Sequence, residues 1–215
     1  MAGGDTKGKV KGALLLARMR YLREQGAGAA ERVLRHLTAA DQLVLTGVLL
    51  PGTWYPADVL LRLEMTIAAV LAHGDRARMF LDMGRVSAEA NLGPRGLQRA
   101  FLREGAPQFL LERVPHLYAS HHSNGTRTYE AAGPFAAVIR TFGGEAANAE
   151  DCLTAIGWLE RAIELSGGKG ARVVETRCQA RGAECCEYRC EWKAVAAGAC
   201  AGPRARHRPA RLSST

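Results

Sequence analysis

The feature that most constrains this chain is a change of hydrophobic period at Ser123-Asn124-Gly125. Before it, apolar residues recur three and four apart, which places them on one face of helices; after it, they alternate with polar ones, as in strands. Gly12–Gln25 is a run of helix formers ending at Gly26, and Ala30, Val33, Leu34 and Leu37 mark a second helix. Thr38 and Asp41 open another, leading into the apolar Leu43–Leu50, and Pro51, Gly52 and Pro56 make PGTWYP a turn. Leu60, Leu63, Ile67, Val70 and Leu71 form one stripe ending near Gly74; Asp75 caps the next helix, where Met79, Met83 and Val86 continue the pattern to about Leu92. Shorter helices are expected over 97–103 and 106–119. Beyond the break, Thr126–Glu130 and Phe135–Phe142 read as a hairpin, 148–166 as a helix, and Ala171–Cys178 with Cys186–Lys193 as two more strands. The expected class is α+β: a helical N-terminal half packed on a four-stranded antiparallel sheet of order ββαββ in sequence.

A chain of 215 residues supplies one sizeable core. That core is expected over 9–194, flanked by disordered basic ends at 1–8 and 195–215. Most of the formal net charge of +8 sits in residues 1–11, with Lys7, Lys9 and Lys11 against Asp5, and in 201–215, with Arg204, Arg206, Arg208 and Arg211. The part between is close to neutral, so nucleic acid is not an expected partner. No apolar run approaches the ~20 residues of a membrane span, and no signal-peptide pattern adjoins the first lysines, so a cytoplasmic protein is expected. No G-x-x-x-x-G-K-[ST], H-E-x-x-H or G-x-S-x-G motif occurs.

The cysteines are confined to the last third: Cys152, Cys178, Cys185, Cys186, Cys190 and Cys200. In a chain that is neither small nor evidently secreted, such crowding points to a metal rather than a disulfide framework. Cys152, Ile156, Leu159 and Ile163 share one helix face; Cys186, Tyr188, Cys190 and Trp192 share one strand face; Val174, Thr176 and Cys178 would share another. Cys152, Cys178 and Cys186 would therefore converge where helix and hairpin meet. Thiolates suit a closed, structural zinc site. Buried apolar thiols are the competing reading, and it suits Cys190 well.

The segment Glu175-Thr-Arg-Cys178-Gln-Ala-Arg-Gly182-Ala-Glu-Cys-Cys186 resembles the end of the vinyl-reductase-type sensory domain, found in phenol-responsive activators and in bacteriochlorophyll biosynthesis. The resemblance implies a structural zinc held by Cys152, Glu175, Cys178 and Cys186. Glu175 lies three residues from Cys178, however, so in a straight strand the two point to opposite faces. Both reach one metal only across a bulge or twist; otherwise water, Cys185 or Cys190 completes the set. The stretch from Lys9 through Trp192, with KGALLLARMRYLRE, Trp54-Tyr55-Pro56, Asp82-Met-Gly84-Arg85 and Gly157-Trp158-Leu159-Glu160-Arg161-Ala162, is similar to an uncharacterised family of myxobacterial paralogues. Both look distantly related to the heme-based nitric oxide and oxygen sensors.

Heme itself is not expected from that relation. The positions that would carry the sensors' axial histidine read Gln108-Phe109-Leu110, no tyrosine-serine-arginine clamp precedes Phe142, and His121-His122 read as a solvated loop. Trp54, Tyr55, Phe80, Met83, Phe109 and Trp158 could line an apolar pocket, with core packing as the alternative. The resulting expectation is a non-catalytic module that senses a small apolar molecule or binds a protein, regulatory in role. With no output domain evident, its signal would pass by association with a partner or as a homodimer. The runner-up is a vinyl-reductase-like enzyme or accessory protein acting on a tetrapyrrole.

Overall fold

The first described element of the chain is a strand. A computed structural model of the protein describes residues 8–144 and 149–194. In it, strand β1 (Lys9–Lys11) pairs antiparallel with β2 (Trp54–Pro56), Val10 opposite Tyr55. Gly8, expected in the loose N-terminus, accepts from Ala57 N–H at 2.9 Å. The PGTWYP stretch is thus only half turn. Gly12 and Ala13 N–H groups donate to Thr53 O and Pro51 O, and this bonding stretches Trp54–Pro56 alongside β1. The rest of the expected basic ends, and Asn148 at the expected helix start, lie outside the described residues.

Five helices follow the expected order: α1 (Gly12–Glu24), α2 (Ala29–Leu34), α3 (Ala39–Thr46), α4 (Ala57–Leu71) and α5 (Arg76–Leu92). Thr38 and Asp75 cap α3 and α5, each side chain accepting a backbone N–H three residues on. The α4 stripe buries Leu60, Leu63, Ile67 and Leu71, and α5 buries Met79, Phe80 and Met83 against it in one helical core. The helix expected over 106–119 is two, α6 (Pro107–Leu111) and α7 (Val114–His121). Pro115 has no N–H to continue a helix but fits a first turn, so the chain stops and restarts there. The 97–103 region holds only a single tight turn at Arg99–Phe101.

The second half is the four-stranded antiparallel sheet expected: β3 (Thr126–Gly133), β4 (Ala136–Phe142), β5 (Lys169–Arg177) and β6 (Cys186–Lys193), in spatial order β3-β4-β6-β5. Between β4 and β5 runs α8 (Ala149–Leu165). One face of α8 lays Cys152, Ala155, Leu159 and Ile163 onto Ile139, Val173, Tyr188, Cys190 and Trp192 of the sheet. Its other face meets α5 so closely that a Cβ on Gly157 would stand 2.0 Å from Leu81 O, and one on Gly84 2.1 Å from Thr154 O. Glycine at both positions is what lets the two backbones touch. Ion pairs then run along the seam: Arg85 with Glu160 (3.3 Å) and Glu164 (2.8 Å), and Arg161 with Glu89 (2.5 Å). Helix α8 is therefore the layer that joins the helical core to the sheet.

Candidate functional site

Two features border α8. The first is a cluster of sulfur and oxygen ligands. Cys152 sits in the first turn of α8, Cys186 begins β6, and Cys178 follows the end of β5. The register of β5 on β6 slips between Glu175 and Arg177: Glu175 faces Tyr188, yet Arg177 faces its neighbour Glu187. That extra residue is a β-bulge, and it turns Cys178 back onto the face of Glu175. The inner face of β5 accordingly carries Val173, Glu175 and Cys178, whereas Val174 and Thr176, expected inward, are exposed. The alternation that misplaces them is broken by the bulge itself. Gly182, with φ +87°, closes the turn back to β6 in a conformation glycine favours.

One ligand atom from each of Cys152, Glu175, Cys178 and Cys186 lies within 4.8 Å of every other. Cys152 Sγ is 3.8 Å from Cys178 Sγ and 3.6 Å from Cys186 Sγ. A tetrahedral zinc with ~2.3 Å metal–sulfur bonds has ligand–ligand edges of about 3.8 Å, so these separations would suit a metal cage and are far longer than a disulfide. Glu175 Oε1 is buried with no hydrogen-bond partner, while Oε2 accepts from Arg181. A buried carboxylate oxygen left bare beside three thiols fits a cation there. Gln179 N–H donates to Cys186 Sγ at 3.3 Å. Burial raises the Cys152 thiol far above the ordinary range, and the neighbouring Glu175 adds to this, with Tyr188 opposing it. A bound divalent cation would offset that cost by taking the thiolate. The cluster could hold a metal. Cys185 and Cys190 are buried nearby, and burial pushes the Cys190 thiol up to about 12.

The second feature is a cavity of about 510 Å³ on the helical side of α8. Leu14, Leu60, Val114, Leu117 and Trp158 give it apolar walls, and Ala155 and Thr154 of α8 close one side. Its interior also carries charge. Arg18 and Glu64, 3% and 5% exposed, pair at 2.6 Å, and Arg18 donates further to Ser87 and to Met83 O. Buried polar atoms of Gln98, Asn124 and Thr154, all on its wall, have no hydrogen-bond partner.

Of the six aromatic and methionine side chains expected around a pocket, only Trp158 lines this one. Phe80 and Met83 are fully buried in the helical core. Trp54 is 40% exposed with Lys11 Nζ 3.9 Å over its ring, and Tyr55 accepts from Leu50 N–H. Phe109 is clasped between Arg103 and Arg113. These residues pack or face water, because large apolar side chains fill space rather than enclose it.

Sequence reasoning missed His121 and His122, which both line the cavity instead of a solvated loop. His121 Nδ1 donates to Leu117 O at 2.9 Å, leaving Nε2 as the lone-pair nitrogen beside Gln98 Nε2 at 3.4 Å. Burial holds this imidazole below its ordinary pKa, in the neutral form. His122 stacks on Tyr118 with ring centres 4.2 Å apart. A signal was available: His121 falls at i+7, i+4 and i+3 from the apolar Val114, Leu117 and Tyr118, so all four lie on one helix face. Gln108 points elsewhere, donating to Gly133 O and accepting from Tyr129.

The family model DUF2378, described as a protein of unknown function, matches residues 31–193. The chain belongs to that family. No curated protein sequence matches it. Among solved structures, this DUF2378 chain is similar to an H-NOX protein from S. oneidensis in the Fe(II)NO ligation state, at 13% identity and TM-score 0.64, covering 85% of this chain and 99% of that one. A Fe(II) unliganded H-NOX mutant from K. algicida matches at 10% identity and TM-score 0.61, over 85% and 96%. A third match, at 12% identity, TM-score 0.63 and 86% and 96% coverage, comes from work on modulating heme redox potential through porphyrin distortion. These likenesses extend the shared fold to the H-NOX proteins. They give no support to setting heme aside.

Proposed function

We propose that this DUF2378 chain is a small-molecule-sensing module, with its ligand in the cavity beside α8 and a structural zinc at Cys152, Glu175, Cys178 and Cys186. The observation that carries the reading is the cavity: a half-open pocket, apolar on most of its wall, and holding the unpartnered polar atoms of Gln98, Asn124 and Thr154. Apolar volume with a few convergent polar groups is the usual form of a small-molecule site, and unpartnered buried atoms are costly until a ligand meets them. The metal cluster offers four protein ligands and no open position, so zinc there would hold structure rather than activate water. A sensing role also agrees with the resemblance of the Glu175–Cys186 segment to vinyl-reductase-type domains. The signal would pass to a protein partner, or between two copies of the chain.

A thermal-shift screen of phenolic and other apolar compounds tests the sensing role. Stabilisation by one class, abolished when Thr154→Trp fills the cavity, is expected. If no compound class raises the melting temperature, the reading is wrong.

A tetrapyrrole in the same cavity is the second reading, and His121 is what favours it. An iron porphyrin needs an axial donor, and the neutral His121 offers its Nε2 on the cavity wall. The cavity-facing positions of α7 are Val114, Leu117, Tyr118 and His121, so the Gln108 segment is not the relevant one. If the purified chain takes up hemin one to one with a Soret band that His121→Ala weakens and His122→Ala does not, this reading displaces the first. A turnover assay on a vinyl-bearing tetrapyrrole then tells an enzyme from a binder.

A further inference from the structure

The cavity has a neighbour. A cleft of about 410 Å³ lies against α1, lined by Ala13, Leu16, Ala17, Ala90 and Leu97. The cleft and the cavity share three wall residues, Asn91, Gln98 and His121, which form a polar partition between them. Four cations ring the cleft: Lys11, Arg20, Arg23 and Arg95. Two are already engaged. Lys11 donates to Gly52 O and lies over Trp54, and Arg20 pairs with Glu24 at 2.8 Å. Arg23 and Arg95 are exposed and make no ion pair among the described residues. Leu97, at the same rim, is 83% exposed, an apolar side chain held out in water between the basic groups.

We propose that the cleft is an anion-binding mouth to the cavity, and that the ligand is an amphipathic small molecule whose apolar body lies inward and whose carboxylate, sulfonate or phosphate rests between Arg23 and Arg95. This rests on the sensing reading and gives it a ligand class. Two guanidinium groups without carboxylate partners suit an oxyanion in geometry as well as charge. Their field, in a cleft with low-dielectric walls, would also draw anions toward the partition. The apolar floor of Leu16, Ala17 and Ala90 argues against a bare inorganic ion, which gains nothing from it. The buried Arg18 on the cavity wall is already met by Glu64, so the anionic group is placed at the cleft, outside the partition.

The test uses two fluorescent probes with the same apolar body, anilinonaphthalene sulfonate and neutral N-phenylnaphthylamine, titrated into the full chain at low salt. The sulfonate is expected to bind about tenfold tighter, as two partly solvated ion pairs allow. Arg23→Gln with Arg95→Gln should bring the two affinities within about twofold, as should high salt. Arg172→Gln, an exposed cation on β5, should leave the preference intact. Equal affinities in the native chain, or an Arg172→Gln effect as large as that of the cleft variant, would overturn the anionic mouth but leave the sensing reading standing. If neither probe binds, both fall.

Discussion

The sulfur cluster and the cavity both border one helix and are encoded in different ways. The cluster draws all four groups from one stretch, 152–186, through a helix turn, a bulge and a tight turn. The cavity draws its wall from Gly8 to Trp158, and it exists because the side chains there stop short of one another. One is a site made by local spacing, the other by global shape. In the proposed reading the difference also divides the roles: a metal at the cluster would fasten α8 to the sheet, and the cavity would take a ligand against another part of α8.

That division is most easily broken at the metal. Cys178→Ser, or chelation, should remove the zinc and destabilise the chain by several kcal/mol, about 10 °C or more in melting temperature. Hydrogen exchange should then rise first in β5, β6 and the start of α8. Equal loosening of α1 and α4 would blur the two regions into one. Next in size, Glu64→Ala leaves Arg18 buried without its partner and should cost about 3–5 kcal/mol in urea denaturation while zinc content stays unchanged. Gly157→Ala forces a Cβ against Leu81 O and should cost about 1–3 kcal/mol by the same measurement, separating α5 from α8 without touching the cysteines.

Smaller effects sharpen the comparison. Arg181→Ala frees the Glu175 carboxylate that it orients and should weaken zinc binding about tenfold in a chelator competition, with little change in probe binding at the cavity. On the cavity side, burial places the His121 pKa below the ordinary 6.5. The unfolded chain therefore binds the proton more readily, so this residue's contribution is present above about pH 6.5 and is lost as pH falls through and below that value. The native chain should lose more stability than His121→Gln between pH 7 and 5, read by denaturation at each pH.

Much of the sheet half is legible in sequence. The strand period of Cys186–Lys193 and the helical spacing of Cys152, Leu159 and Ile163 place their inner faces correctly, since each element is regular. Where regularity fails, so does the reading. The bulge before Arg177 reverses which of Val174, Glu175 and Thr176 faces inward, and no residue at that point announces it. β2 is hidden because its extension depends on a partner strand more than forty residues away. The cavity is the least legible feature. Aromatic side chains suggest a pocket but fill the core, as Phe80 does, while the wall is built from residues such as Ala57 and Thr154 that carry no pattern of their own, and His121 is marked only by its helical spacing.

The most direct test of the account is native mass spectrometry of the purified chain beside Cys178→Ser. One zinc per chain in the native protein, absent from the variant, is the predicted result. A native protein carrying less than about 0.2 zinc per chain, with a variant equally stable to heat, would contradict it, because a structural metal and folding are linked.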